Sequence, residues 1–168
     1  MHNKNVRTRS GPRGSSLNNL FLCVLLFCKL RGINMHDKFI NAALNEAKKA
    51  YKKNEVPVGA IIVKNNKILA KSHNLVEKKK DATAHAELIA IKKASKLLKN
   101  WRLNDCEMYV TLEPCNMCVS AIELCRIKKV YFLVKRNKDI KKSEKKYVFL
   151  NNSDEPQKLI QDFFKKRR

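Results

Sequence analysis

From Met35 onward the apolar residues of this chain switch repeatedly between a helical and a strand-like period. FINAALNEAKKAYKKN (Phe39 to Asn54) carries apolar residues at helical spacing and closes on basic residues and Asn54, as a helix should. EVPVGAIIVKNNKILAKSHN follows. Val58 to Val63 and Lys67 to Ser72 read as two strands around the turn residues Asn65 and Asn66, a hairpin. Lys78 to Asp81 reads as a charged loop. AHAELIAIKKASKLLKN (Ala84 to Asn100) predicts a second helix, with Leu88, Ile91, Ala94, Leu97 and Leu98 on its buried stripe. Met108 to Glu113 reads as a short strand, Asn116 to Ile127 as a helix, and Lys129 to Val134 as a strand. QKLIQDFFKKRR at the end predicts a basic amphipathic helix. Strands alternating with helices imply an α/β layered domain whose helices cover a sheet.

The first 34 residues differ from this body. They hold six cations, no acidic residue and the apolar run LFLCVLLF from Leu20 to Phe27. That run is too short for a membrane-spanning helix, and no small-residue cleavage motif follows it. Two explanations suit it: a targeting leader, or a start codon placed upstream of the true one at Met35. The chain therefore divides into an extension over 1–34 and a body over 35–168, with room for one proper core.

Charge changes the picture of what the body meets. The whole chain has a formal charge of +22 and a pI near 10.0. Without the leader there remain 31 basic residues against 15 acidic ones. Such an excess attracts polyanions through counterion release, which puts nucleic acid first among partners. Genomic drift toward Lys and Asn is the duller source of the same charge.

The chemistry lies in two short segments. TLEPCNMC (Thr111 to Cys118) presents two thiols three apart, open to four readings: a disulfide, a redox pair, a structural metal site or a working one. Six cysteines without a regular framework fit a reducing compartment, where CxxC means metal or redox chemistry. HAE at His85 to Glu87 opens one predicted helix, and PCxxC at Pro114 to Cys118 opens another. His85, Cys115 and Cys118 supply the three protein ligands of a catalytic zinc, and no fourth candidate stands at a matching spacing. Helix N-termini favour the thiolate forms. Glu87 is placed to handle a proton on the metal's water, whose pKa zinc lowers to about 7. HxE with PCxxC is the established signature of zinc nucleobase deaminases, with tRNA adenosine deaminase a known example.

The stretch from Glu55 to Ile127 resembles the tRNA-specific adenosine deaminases. EVPVGA (Glu55 to Ala60), Asn74, DATAHAE (Asp81 to Glu87), WRL (Trp101 to Leu103), VTLEPCNMC (Val110 to Cys118) and Arg126–Ile127 carry the likeness, and the terminal DFFKKRR resembles that family's closing helix. The resemblance implies a three-layer cytidine-deaminase-like domain with a central mixed sheet of about five strands. It implies zinc, one per subunit, on His85, Cys115 and Cys118, with Glu87 as general acid/base. The implied reaction is hydrolysis of adenosine to inosine at the wobble position of a tRNA anticodon, where an unpaired base leaves its stack readily. Asn74 would contact the flipped nucleotide and Val56 would line its pocket. Phe163, Phe164, Lys165, Lys166, Arg167 and Arg168 would lie along the tRNA. The family further implies a homodimer, a tRNA-Arg with an ACG anticodon as substrate, and a bacterial-type cytoplasmic location with no membrane association of the domain.

Each assignment has a plainer competitor. Asn74 suits the end of a hairpin. At least one of Phe163 and Phe164 is expected in the core, and KKRR is by default a solvated tail. Cys106 and Cys125 read as small buried or half-buried residues without chemistry, and His36 and His73 stand outside any ligand pattern. After Val134 the chain departs from the family: Arg136 stands where an acidic residue is expected, and the following glycine-free segment is short. Two other functions stay open: a deaminase of free bases or nucleotides, and a non-catalytic zinc module that binds RNA.

Overall fold

The chain is described from a computed structural model over residues 35–136, 146–150 and 154–167. The extension over 1–34, and the expectations attached to it, lie outside the described residues. In chain order the elements are α1 (Met35–Lys52), β1 (Gly59–Lys64), β2 (Lys67–His73), α2 (Val76–Lys79), α3 (Ala86–Leu98), β3 (Cys106–Leu112), α4 (Asn116–Leu124), β4 (Lys129–Val134), β5 (Tyr147–Phe149) and α5 (Glu155–Lys165). The strands form one mixed sheet in the order β2-β1-β3-β4-β5. β1 runs antiparallel to both β2 and β3, while β3, β4 and β5 are parallel.

The hairpin turn is local chemistry. Asn65 and Asn66 both hold positive φ, 49° and 59°, so the two-residue loop has the primed geometry that matches strand twist. Asn tolerates that region better than other side chains because its short amide bonds locally. Parity along the strands then separates two cores. Ile61, Val63, Tyr109, Tyr131 and Leu133 face α1 and pack on Phe39, Ile40 and Ala43. Ala60, Ile62, Met108, Val110, Val130 and Phe132 face the other way, against Ala90, Ile91, Ala94, Val119 and Ile122. A sheet between helices on both faces is the three-layer α/β arrangement expected.

One contact sets how close α1 comes. A Cβ on Gly59 would stand 2.1 Å from the carbonyl oxygen of Ala43 and 2.5 Å from the amide nitrogen of Ala47. Only glycine permits this approach of strand to helix.

Several expectations are corrected. The buried face of α3 is Ala86, Glu87, Ala90, Ile91 and Ala94; Leu97 is 64% exposed, and Leu88 and Leu98 are only partly covered. Small alanines let this helix lie close on the sheet, so its larger apolar residues sit at the margin. The charged loop expected over Lys78 to Asp81 overlaps a short helix, α2, closed by Lys80 in the left-handed region. α4 stops at Leu124 rather than Ile127, with Arg126 at φ 61° ending the helical run. β5 follows a charged stretch with no strand pattern and exists through its parallel pairing with β4.

Candidate active site

The candidate site is built from two helix starts. His85 is the N-cap of α3 and Cys115 the N-cap of α4; both have extended backbone and neither makes a side-chain capping bond. N-caps are ordinarily Ser, Thr, Asp or Asn, whose oxygens satisfy the first free amides. A His and a Cys there are diverted from capping to something else. Glu87 and Cys118 lie in the first turns of the same two helices, and both are buried, at 1% and 0% exposure.

The three candidate ligands converge. His85 Nδ1 lies 3.6 Å from Cys115 Sγ and 3.5 Å from Cys118 Sγ. All three donor atoms fall within 4.8 Å of one another. A tetrahedral zinc with Zn–S of about 2.3 Å and Zn–N of about 2.0 Å spaces its N and S ligands about 3.6 Å apart. The donor set and its spacing therefore fit zinc. Burial pushes the Cys118 thiol far above its ordinary range, and Glu87 and Cys115 push it further. Without a cation this thiol stays protonated; a bound metal would displace its proton. Burial also raises the Glu87 carboxyl, against its own backbone amide, His85, Arg136 and Cys118, which lower it. A carboxyl whose protonated form burial favours is suited to take up and return a proton.

His85 and Glu87 stand at a cleft of about 660 Å³ whose wall also includes Val56, Asn74, Arg136 and Phe164. That volume is in the range of small-ligand sites.

The sequence model of the cytidine and deoxycytidylate deaminase zinc-binding region matches residues 33–134. The chain belongs to this deaminase family. It is 58% identical over 94 residues to the tRNA-specific adenosine deaminase of Aquifex aeolicus, a match that covers 56% of this chain and 62% of that protein. The chain thus spans about three-fifths of this relative's length. A solved structure from a study of A-to-I editing at the wobble position of transfer RNA is 40% identical, with a TM-score of 0.59. The match covers 60% of this chain and 73% of that one. Guanine deaminase from Bacillus subtilis is 28% identical with a TM-score of 0.58, covering 80% and 94% of the two chains.

The other candidate residues of the sequence occupy different surroundings. Asn74 is buried and donates from Nδ2 to Glu55 Oε2 at 3.1 Å, so its amide orientation is set by a fixed acceptor. Phe164 is half-exposed in the cleft wall. Phe163 is not in that wall: it is 5% exposed and packs edge-on to Tyr51, which gives the pair the core member that was expected. Lys165 is exposed at the end of α5. Lys166 bonds the Tyr51 hydroxyl at 2.6 Å, and Arg167 donates to the Asn54 carbonyl at 2.6 Å. Arg168 lies outside the described residues.

Glu55 is a site residue that the pattern did not reveal. It is fully buried and accepts from Asn74, from the Glu77 amide at 3.2 Å and from the Lys78 amide at 2.8 Å. One carboxylate thereby caps α2 and fixes Asn74. The available signal was an acid set against the apolar run VPVGA, which suits a buried carboxylate as well as a surface one. Among the described residues no helix is long and apolar enough to cross a membrane.

Proposed function

We propose that this protein hydrolyses the wobble adenosine of a tRNA anticodon to inosine. The observation that carries the reading is the placement of Glu87. Glu87 is 1% exposed, in the turn after His85, and lines the cleft of about 660 Å³. A purely structural metal site has no use for such a group. His85, Cys115 and Cys118 would hold one zinc per subunit, which when bound supplies Lewis acidity and activates water at neutral pH. Glu87 takes one proton from the attacking water and delivers it to N1 of the purine as the C6–O bond forms. It then carries the water's second proton to the amine, so that the C6–N bond breaks, ammonia leaves and the carbonyl of inosine remains. Val56 and Phe164 flank the base, and Asn74, pinned by Glu55, orients it. A purine can reach the floor of the cleft only if it leaves its stack, so an unpaired loop nucleotide suits the site.

The basic surface and the likeness to tRNA-specific relatives support RNA as the substrate rather than a free base. We assign Lys165, Arg167 and Arg168 to RNA binding. A tRNA-Arg with an ACG anticodon, a homodimer, a bacterial-type cytoplasmic location and a deaminase unit beginning near Met35 complete the reading. One observation favours a second reading, a free-base deaminase: the likeness to guanine deaminase extends over nearly all of that protein.

A single-turnover assay decides between them. The full chain, zinc-loaded, is mixed with an anticodon stem-loop carrying adenosine at the wobble position, with Glu87→Ala as control. Inosine from the wild type alone is the expected result. Silence on RNA together with ammonia released from guanine would move the protein to the second reading.

A further inference from the structure

We propose that Arg136 is a specificity-determining residue that binds a phosphate of the substrate at the deaminase cleft. The inference rests on the deaminase reading and adds to it a contact outside the base.

Arg136 follows the end of β4 and shares the cleft wall with Glu87, Asn74 and Phe164. Its position is locked from both sides. The Glu113 amide donates to the Val134 carbonyl at 2.8 Å, tying the chain after β3 to the end of β4. In return the Arg136 amide donates to Glu113 Oε2 at 2.8 Å, and Arg136 Nε donates to the Glu113 carbonyl at 2.6 Å. A guanidinium bonded at Nε has its orientation set while its terminal amines project beyond the anchor. Among the described residues those terminal amines have no protein partner, and Arg136 forms no ion pair with Glu87. The side chain is held in place and left with an unused fork of donors.

Such a fork recognises a planar or tetrahedral oxyanion through paired N–H donors. The base that enters the cleft is neutral. A nucleotide's negative charge lies on its phosphates, next to the sugar that must remain outside when the base is on the floor. Arg136 thus stands where a phosphate arrives if Glu87 reaches the base. The same chemistry comes from two sources, an RNA backbone linkage or the phosphate of a free mononucleotide. A plainer role would confine Arg136 to clamping Glu113, with no interest in substrate charge.

Neutralising the phosphate separates these roles. Full-length, zinc-loaded wild type, Arg136→Gln and Arg136→Lys are assayed on the stem-loop and on two versions with a methylphosphonate on the 5′ or the 3′ side of the target adenosine. Zinc content and circular dichroism establish that each variant is folded. In the wild type one methylphosphonate is expected to lower kcat/KM by about tenfold or more, the scale of a lost charge-assisted bond. Arg136→Gln should lose about as much on unmodified RNA and then be insensitive, within about twofold, to the modification. Arg136→Lys should fall between them, because a lysine keeps the charge and loses the fork. If Arg136→Gln feels the modification as strongly as the wild type does, the proposal is overturned.

Failure of the underlying reading looks different. Wild type that makes no inosine from any RNA refutes the tRNA substrate, and Arg136 is then judged on guanosine and cytidine against their 5′-monophosphates. A preference for monophosphate that vanishes in Arg136→Gln supports phosphate binding from a free nucleotide. The lack of any such preference in the wild type overturns it.

Discussion

Gly59→Ala puts one methyl group into the tightest contact between sheet and helix. The new Cβ would stand 2.1 Å from the Ala43 carbonyl and 2.5 Å from the Ala47 amide. Both obstacles are backbone, so no side chain can swing aside; α1 must retreat by about 1 Å to restore ordinary contact, and a gap of that size forfeits a quarter to a half of each dispersion well. The residues affected are those α1 buries, chiefly Phe39, Ile40 and Leu44. Full burial of each is worth roughly 2 kcal/mol, so losing a quarter to a half of three such contributions removes about 1.5–3 kcal/mol. Alanine also restricts the unfolded chain, which offsets about 0.4–1 kcal/mol. The net loss is about 0.5–2.5 kcal/mol, in line with overpacked cores generally, and corresponds to a Tm lowered by roughly 1–10 °C. Thermal melts followed by circular dichroism read this directly. The site should also feel it, because Gly59 pairs with His73 beside Asn74, and its amide donates to Thr111 Oγ1 at 3.1 Å. An unchanged or raised Tm would refute the reasoning, since it would mean α1 can yield at no cost.

Three further expectations follow from individual contacts. Cys118→Ser should leave less than about a tenth of an equivalent of zinc after dialysis, because a buried hydroxyl cannot serve as the thiolate does; full retention by elemental analysis would remove this residue from the ligand set. Phe163→Ala should cost about 3 kcal/mol in urea unfolding, as large core truncations do, while Phe164→Ala should leave stability within about 1 kcal/mol and raise KM; equal effects of the two would contradict their placement in core and cleft wall. Glu46 is held below its ordinary value of 4.5: burial opposes this, but the bonds from Lys49 and His73 outweigh it. A folded-state value below the unfolded one stabilises the protein above pH 4.5 and ceases to do so as pH falls through the folded value. Glu46→Gln should therefore flatten the loss of Tm as pH falls below 4.5, and parallel curves for the two proteins would dismiss the contribution.

What could be read from the sequence was whatever depends on short offsets. The turn at Asn65–Asn66 is legible because both residues accept positive φ, a property of the side chain alone. The candidate ligands are legible for a related reason. When a ligand is the N-cap of a helix, its partner two or three residues on lies in the first turn, so the spacings of HAE and CxxC encode geometry directly. α3 failed for want of the same directness. Its sequence offers leucines at positions 88, 97 and 98, and an apolar residue draws attention in proportion to its size. The sheet selects instead the alanines at 86, 90 and 94, because a close-packed helix needs small residues at the contact. β5 is invisible for the converse reason: three residues contain no period, and its pairing with β4 comes from far along the chain.

Glu55 and Arg136 belong to a third class, in which the residue type is evident and its role is not. Glu55 stands 19 residues from Asn74, and Arg136 stands 23 from Glu113. Neither separation is a helical or strand offset, so no local pattern could join the pairs. Both interactions close only after the sheet has brought the ends of β1, β2, β3 and β4 together. They also do the same kind of work. Glu55 anchors the amide of Asn74, and Glu113 anchors the guanidinium of Arg136, each leaving polar atoms of the held group for a substrate. A chemical motif with short spacing can specify what reaction a site performs. The substrate it accepts is set by groups held from a distance, which is why the candidate zinc ligands were readable in the sequence and the proposed phosphate-binding role of Arg136 required the fold.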